Sequence, residues 1–156
     1  MTPAIDLANK YKVAFTVHQY QHDPSAESYG DEAAATLGFH ANRIFKTLVV
    51  ELNTGELAVG IVPVSGSLNL KAIAAAAKAK KAVMADSLKV QRTTGYVLGG
   101  VSPIGQRKKL ATVIDSSAHD FNTILVSAGK RGLEIELSAH DLSTLTAATF
   151  AAISAV

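Results

Sequence analysis

The chain has no cysteine among its 156 residues. That absence excludes disulfides, thiolate zinc sites and a cysteine nucleophile supplied by the protein. No apolar run approaches the roughly 18 residues that a bilayer span demands, so no membrane partner is expected. The opening Met1-Thr2-Pro3-Ala4-Ile5-Asp6 lacks the basic and apolar regions of a secretory leader, and a cytoplasmic location is the expectation. Short signatures of hydrolysis and nucleotide binding are missing too. There is no Gly-x-Ser-x-Gly elbow, no Walker loop and no dinucleotide fingerprint. A dispersed Ser-His-Asp triad stays open, although nothing local points to one. The histidines His18, His22, His40, His119 and His140 are scattered, and His18 with His22 lacks the glutamate of a zincin motif. Those two read as a polar strand end, and neither a metal nor a cofactor is expected.

What is present is apolar bulk and a lopsided charge. Hydrophobic residues make up 48% of the chain, enough for the core of one ordinary domain spanning 1–156. Net charge is only +2, yet eleven of the fifteen Lys and Arg fall between Lys71 and Arg131, against three acids there. That stretch carries +8 and the remainder −6. Two readings stand side by side: a basic surface facing a polyanion, or a solvated face whose acids lie nearby in space.

Periodicity and capping signals give helices and strands that mix without a regular βαβ repeat. Thr2-Pro3 reads as an N-cap and first helical position, with a helix to about Lys12. Residues 14–20 alternate like a strand. Ser28 and Asp31 have capping-box spacing, and Gly38 is a natural helix stop. Apolar runs at 44–52 and 56–62, parted by Asn53-Thr54-Gly55, predict a hairpin. Asn69 caps a helix from Leu70 through Lys78, 82–85 form a short strand, and Asp86 caps a helix ending before Gly95. Strands follow at 111–115, 122–127 and 133–137, and a box of Ser138 with Asp141 opens a last helix. The fold class is α/β, a single domain with a mixed, curved or barrel-like β-sheet surrounded by helices.

One residue resists a purely structural account. In Ile44-Phe45-Lys46-Thr47-Leu48-Val49-Val50, alternation puts Lys46 on a face with Ile44, Leu48 and Val50. Both faces are mostly apolar, which predicts a central strand covered on both sides. An ammonium there costs several kcal/mol unless it works or meets a carboxylate. The alternative is a strand-end lysine whose amine reaches water. A second oddity is that six of the eleven glycines lie between Gly95 and Gly132, including the pair Gly99-Gly100, where a backbone can approach a ligand and expose N–H donors. Glu134 and Glu136 share a strand face; a solvent-facing edge is expected over a catalytic carboxylate pair.

These segments together resemble the YbaK/EbsC family, whose bacterial members include Cys-tRNA(Pro) deacylases. The likeness runs nearly the whole chain. It takes in Met1-Thr2-Pro3-Ala4, Gly30-Asp31-Glu32, Phe45-Lys46-Thr47-Leu48, Met84-Ala85-Asp86 and Thr94-Gly95-Tyr96. It continues through Gly99-Gly100-Val101-Ser102-Pro103-Ile104-Gly105-Gln106 and closes with Gly129-Lys130-Arg131-Gly132-Leu133-Glu134-Ile135-Glu136-Leu137.

The resemblance implies a barrel of mixed strands and hydrolytic editing of tRNA(Pro) that prolyl-tRNA synthetase has mischarged, with cysteine the expected amino acid. It places the essential lysine at Lys46 beside Thr47, an active-site tyrosine at Tyr20 and a glycine pair at Gly99 and Gly100. A small-residue wall falls at Ser127, Ala128 and Gly129, and an acidic pocket residue at Glu134. Ala128 stands where glycine is usual and Glu134 where aspartate is common; both departures would narrow the pocket. The substrate's own thiol would attack its ester, so a chain without cysteine suffices. Backbone N–H groups around Gly99-Gly100 would hold the carbonyl oxygen, and Lys80, Lys81, Arg92, Arg107, Lys108, Lys109, Lys130 and Arg131 would meet tRNA phosphates. Two other readings remain: a deacylase for Ala- or Ser-charged tRNA, and a non-catalytic tRNA- or nucleotide-binding module.

Overall fold

A computed structural model describes residues 1–25 and 29–155. Helix α1 (Pro3–Lys10) starts where expected, because the Thr2 hydroxyl accepts from the Ile5 amide and Pro3 occupies the first turn. Strand β1 (Thr16–Gln19) and helix α2 (Tyr29–Leu37) follow. Ser28, read above as the cap of α2, lies outside the described residues. Gly38 ends α2 with φ of 77°.

Strands β2 (Phe45–Leu52) and β3 (Leu57–Pro63) form the expected hairpin, antiparallel with Lys46 opposite Val62. Two-residue β4 (Ser67–Leu68) leads into α3 (Leu70–Ala76), capped by the Asn69 side chain. Then come β5 (Ala82–Met84) and α4 (Ser87–Thr94), opened by Asp86 and closed by left-handed Gly95. The irregular stretch to residue 110 precedes β6 (Ala111–Asp115), a short 3-10 turn and β7 (Ile124–Lys130). The chain continues through β8 (Leu133–Leu137), α5 (Ala139–Thr146) with the Ser138 cap, β9 (Thr149–Ala151) and β10 (Ser154–Ala155).

Among the described residues the strands make a five-stranded mixed sheet ordered β5-β2-β3-β6-β9, a three-stranded antiparallel sheet β1-β8-β7 and the pair β10-β4. The two larger sheets meet where Ile44 bridges Leu125 and the Leu125 amide donates to Arg43 O. That bridge joins the two sheets, in keeping with the α/β class and the mixed, curved or barrel-like sheet expected above.

β2 lies between β5 and β3, and both its faces are covered. Phe45 and Val49 enter the main core with Val59, Ile61, Val126, Ile135 and Leu142. Val50 and Leu52 enter a second core under α3 with Val62, Ile73 and Val113. A third, small cluster of Ile44, Leu125, Ala33 and Ala34 seats α2. The cavity described next opens where this third cluster meets the start of β2.

Candidate active site

Three pieces of backbone bring the site together. The first is the start of β2, which supplies Phe45, Lys46, Thr47 and Leu48. The second is the β8 face that opposes the main core. Leu133, Ile135 and Leu137 point into that core, so Glu134 must face the other way. Register puts Ser127 of β7 directly opposite Glu134 on one side and His18 of β1 on the other. The third is the glycine-rich loop carrying Leu98, Gly99 and Val101. Between them lies a cavity of about 380 Å³, also lined by Tyr20, Gly30, Ile44, Val64 and Arg131. That volume suits an amino-acid-sized group with its ester linkage.

Of the residues marked from sequence, Lys46, Tyr20, Thr47, Gly99, Ser127 and Glu134 all line this one cavity. Lys46 is half-buried on its wall, and among the described residues no carboxylate lies within 4.0 Å of its amine. The Thr47 hydroxyl is buried and unpartnered among the described residues. The most unusual group is Glu134, only 7% exposed, with no hydrogen-bond partner among the described residues. Burial pushes its pKa up to about 8, so the acid is protonated at neutral pH. The solvent-facing edge expected for this strand is therefore wrong: β8 is the middle strand of its sheet. Glu136, on the same face, is occupied by Arg43, Thr123 and His18. Tyr20 has its phenol pKa raised, first by burial and then by Glu134 and Glu32.

Gly100, Ala128 and Gly129 do not line the cavity. Ala128 is fully buried in the main core, one step along β7 from Ser127 and so on the opposite face. Its place of glycine therefore cannot narrow the pocket through a side chain. Gly129 sits in a bulge between Ser127 and Lys130, where a β-carbon would meet the Tyr96 ring at 2.6 Å. At Gly100 a β-carbon would lie 3.0 Å from Lys130 Cα. These two glycines let the 95–105 loop dock on the β7 bulge. Gly100 also cannot offer its N–H to a ligand, because that group donates to Val97 O at 2.9 Å. This bond closes a turn with Gly99, φ 88°, in its third position, the type II geometry that requires glycine. Among the described residues no acceptor engages the Gly99 amide.

The basic residues marked for phosphate contact divide. Arg92, Arg107 and Lys108 gather at the C-terminal end of α4, where Arg107 and Lys108 amides donate to Thr94 and Thr93. Lys109 and Lys130 are exposed nearby in the chain order of the site loops. Lys80 and Lys81 instead bond through their amides to Asn53 in the β2–β3 hairpin, roughly 20 Å along β2 from Lys46. Arg131 is not a surface residue: its side chain is 22% exposed, lines the cavity and has Nε 3.9 Å from Glu32. The sequence reading also gave no role to Glu32, which binds the Asp23 amide and His22. Its only signal was membership of Gly30-Asp31-Glu32. His18 and His22 each face a glutamate, at 2.7 and 3.1 Å. No helix among the described residues is long and apolar enough to cross a membrane.

Known proteins resemble the chain along most of its length. Residues 23–145 match the aminoacyl-tRNA editing domain family. A protein of Enterococcus faecalis named "Putative Cys-tRNA(Pro)/Cys-tRNA(Cys) deacylase EbsC" is 37% identical over 155 residues, covering 97% of this chain and 92% of that one. The crystal structure of a hypothetical protein, 25% identical, superposes with a TM-score of 0.87 over 98% of this chain and 99% of its own. Another, titled as a "putative trans-editing enzyme for prolyl tRNA synthetase", shares the fold at 21% identity and a TM-score of 0.78, over 91% and 87% of the two chains. A cavity lined by Lys46 and a buried acid, the ordered motifs and these relatives agree: the chain belongs to the aminoacyl-tRNA editing domain family, in its YbaK/EbsC group.

Proposed function

We propose that the chain, acting as one editing domain, deacylates tRNA(Pro) mischarged with cysteine. The observation that carries this reading is the cavity itself. It is sized for a small acyl group and presents a cation, a buried acid and a polar backbone amide, with no cysteine anywhere to act as nucleophile.

The chemistry then comes from the cargo. The cysteinyl sulfur attacks its own ester carbonyl carbon; a C–S bond forms and the C–O bond to the terminal ribose breaks. The thiol proton passes to the departing ribose oxygen, and the cyclic thioester later takes up water to give free cysteine. The protein's part is positioning and charge stabilisation. Lys46 faces the negative charge that builds on the oxygens of the ester. The Gly99 amide, rather than that of Gly100, receives the carbonyl oxygen. Glu134 takes the α-ammonium: a cation seated against it supplies the missing counter-charge and draws off its proton. Tyr20, Thr47 and Ser127 line the acyl group.

Outside the cavity, Arg92, Arg107, Lys108, Lys109 and Lys130 contact phosphates near the acceptor end, with Lys80 and Lys81 reaching a more distant part of the tRNA. Such contacts are salt-sensitive and indifferent to sequence, so prolyl-tRNA synthetase supplies the tRNA context. The protein works where translation does, in the cytoplasm.

The test is hydrolysis of Cys-, Ala- and Ser-charged tRNA(Pro) by the wild type and Lys46→Ala. Cysteine should be removed fastest, and serine, with oxygen for sulfur, at least about 100-fold more slowly. Lys46→Ala should lose about 100- to 1,000-fold in rate while keeping its fold by circular dichroism. Near-normal turnover by that variant sinks the role given to the lysine. Binding without turnover on all three substrates sinks the enzymatic reading.

A further inference from the structure

We infer that Glu32 is a positioning residue that fixes the width of the cavity and so limits the size of the acyl group admitted; this rests on the editing reading above. Glu32 does not itself line the cavity. Its side chain, 7% exposed on α2, ties together three segments that do. One carboxylate oxygen accepts from the Asp23 amide at 2.7 Å. The other meets His22 Nδ1 at 3.1 Å and lies 3.9 Å from Arg131 Nε. The segment that follows β1 and the turn between β7 and β8 thus share one anchor on α2.

Those segments hold the cavity wall. Tyr20, Gly30 and Arg131 line one side of it, from the post-β1 segment, α2 and the β7–β8 turn respectively. The Tyr20 amide donates to Gly132 O at 3.0 Å, and a β-carbon on Gly132 would lie 2.8 Å from Tyr20 O. Residues 20–23 thus form a strap, pressed against the turn at Tyr20 and tied at its far end, residues 22 and 23, by Glu32. The Asp23 amide, foremost, and then His22 and Arg131 hold the Glu32 carboxyl below the usual carboxylate range, so its charge is present wherever the protein works. Removing that charge frees one end of the strap and one neighbour of Arg131 together. The wall then yields to a larger acyl group, whereas the opposite wall, with Lys46 on β2, stays in the sheet.

The experiment reads binding rather than turnover. Two non-hydrolysable probes, adenosine carrying cysteine or leucine through a 3′-amide, are titrated calorimetrically into the full chain. The wild type should prefer the cysteinyl probe by at least about 10-fold, the range a few methylenes command in a closed pocket. Glu32→Ala should bring the ratio close to one. Glu32→Gln, which keeps an acceptor for Asp23 but loses the charge, should fall between. Lys46→Ala should weaken both probes and leave the ratio unchanged. Hydrogen exchange at the Tyr20 and Asp23 amides should quicken in the Glu32 variants, showing that the strap has loosened. A wild-type ratio in folded Glu32→Ala overturns the inference even if exchange quickens, because the anchor is then structural only. Should Glu32→Ala not fold, Glu32→Gln and His22→Ala decide by the same ratio. A wild type that prefers the cysteinyl probe yet hydrolyses no charged tRNA refutes the catalytic reading and leaves this one standing. A wild type that binds neither probe overturns both.

Discussion

Glu134 and Glu136 stand two positions apart on β8, on the same face of the same strand, and meet opposite fates. Glu136 accepts from Arg43 at 2.8 Å and from the Thr123 hydroxyl at 2.6 Å, and bonds His18 at 2.7 Å. The Thr123 hydroxyl leads the causes that lower its pKa. Glu134 has no such partner among the described residues, and burial alone raises its pKa to about 8. The difference follows from how the two sheets join. The Ile44–Leu125 bridge brings Arg43 alongside the Glu136 end of β8. Two register pairs further on, where Ser127 faces Glu134, the sheets part and the cavity begins. Even His18, in register with Glu134, turns to Glu136 instead. A buried acid without a partner is a cost to folding that a cationic ligand can offset. Position relative to the junction, not residue type, decides which glutamate is paired within the fold and which is left unpaired on the cavity wall.

The largest expected effect comes from relieving the unpaired acid. The folded-state pKa of Glu134 lies above that of the unfolded chain. The stability it allows is therefore intact below about pH 4.5 and is lost as pH rises to about 8. Glu134→Gln removes that loss. Urea unfolding should show the variant equal to wild type near pH 4.5 and more stable by on the order of 4 kcal/mol at pH 8 and above. Deacylation should fall, because the amide cannot balance an ammonium. An equal gain at both pH values would mean that Glu134 is not neutral in the folded state.

Removing the paired acid should act in the opposite direction. Glu136→Ala strands the Arg43 guanidinium, 30% exposed, and leaves Thr123 and His18 without their acceptor. A loss of about 2–3 kcal/mol is expected, at the low end for a broken buried pair because water still reaches the arginine. Its pH dependence is also reversed. A carboxyl with a depressed pKa contributes stability above its unfolded pKa and loses it as pH falls, so the deficit should shrink in acid. Arg43 also lies 4.9 Å over the Phe39 ring, a contact that survives the substitution and limits the damage. Matching pH profiles for the two glutamate variants would break the comparison.

Much of this was legible in the sequence, and the gaps have physical causes. Helix starts at Thr2, Asn69, Asp86 and Ser138 were readable because a capping side chain acts within four residues. The hairpin and its central strand were readable from apolar runs, and Lys46 from its oily neighbours. Strands β4, β9 and β10, of two or three residues, carry no periodicity of their own and exist only through pairing with distant segments. The same limit hid the site's finer parts. Alternation showed that Glu134 and Glu136 share a face, but not that β1 covers one edge of β8 and β7 the other. Likeness to a family placed Ala128 on the pocket wall; the pleat turns it into the core. Arg131 read as one more surface cation in a basic run, since its proximity to Glu32 spans 99 positions that no local pattern connects.

The smallest effect tests the boundary between the two regions. Ser127 is the cross-strand neighbour of Glu134 and the last regular residue of β7 before the bulge. Its hydroxyl accepts from the Gly129 amide at 3.1 Å, and that amide has to be satisfied if the bulge is to present Gly129 to Tyr96. Ser127→Ala removes this acceptor and one polar atom from the cavity wall without touching the Glu136 network. The cost should be about 1 kcal/mol, a fall of roughly 3 °C in Tm. KM for the charged tRNA should rise a few-fold and kcat should change less, because the loop bearing Leu98 and Gly99 rests on the same bulge. If kcat collapsed with KM unaltered, Ser127 would belong to the reacting centre. The division between a scaffold at the Glu136 end and a receptor at the Glu134 end would then have to shift by one strand pair.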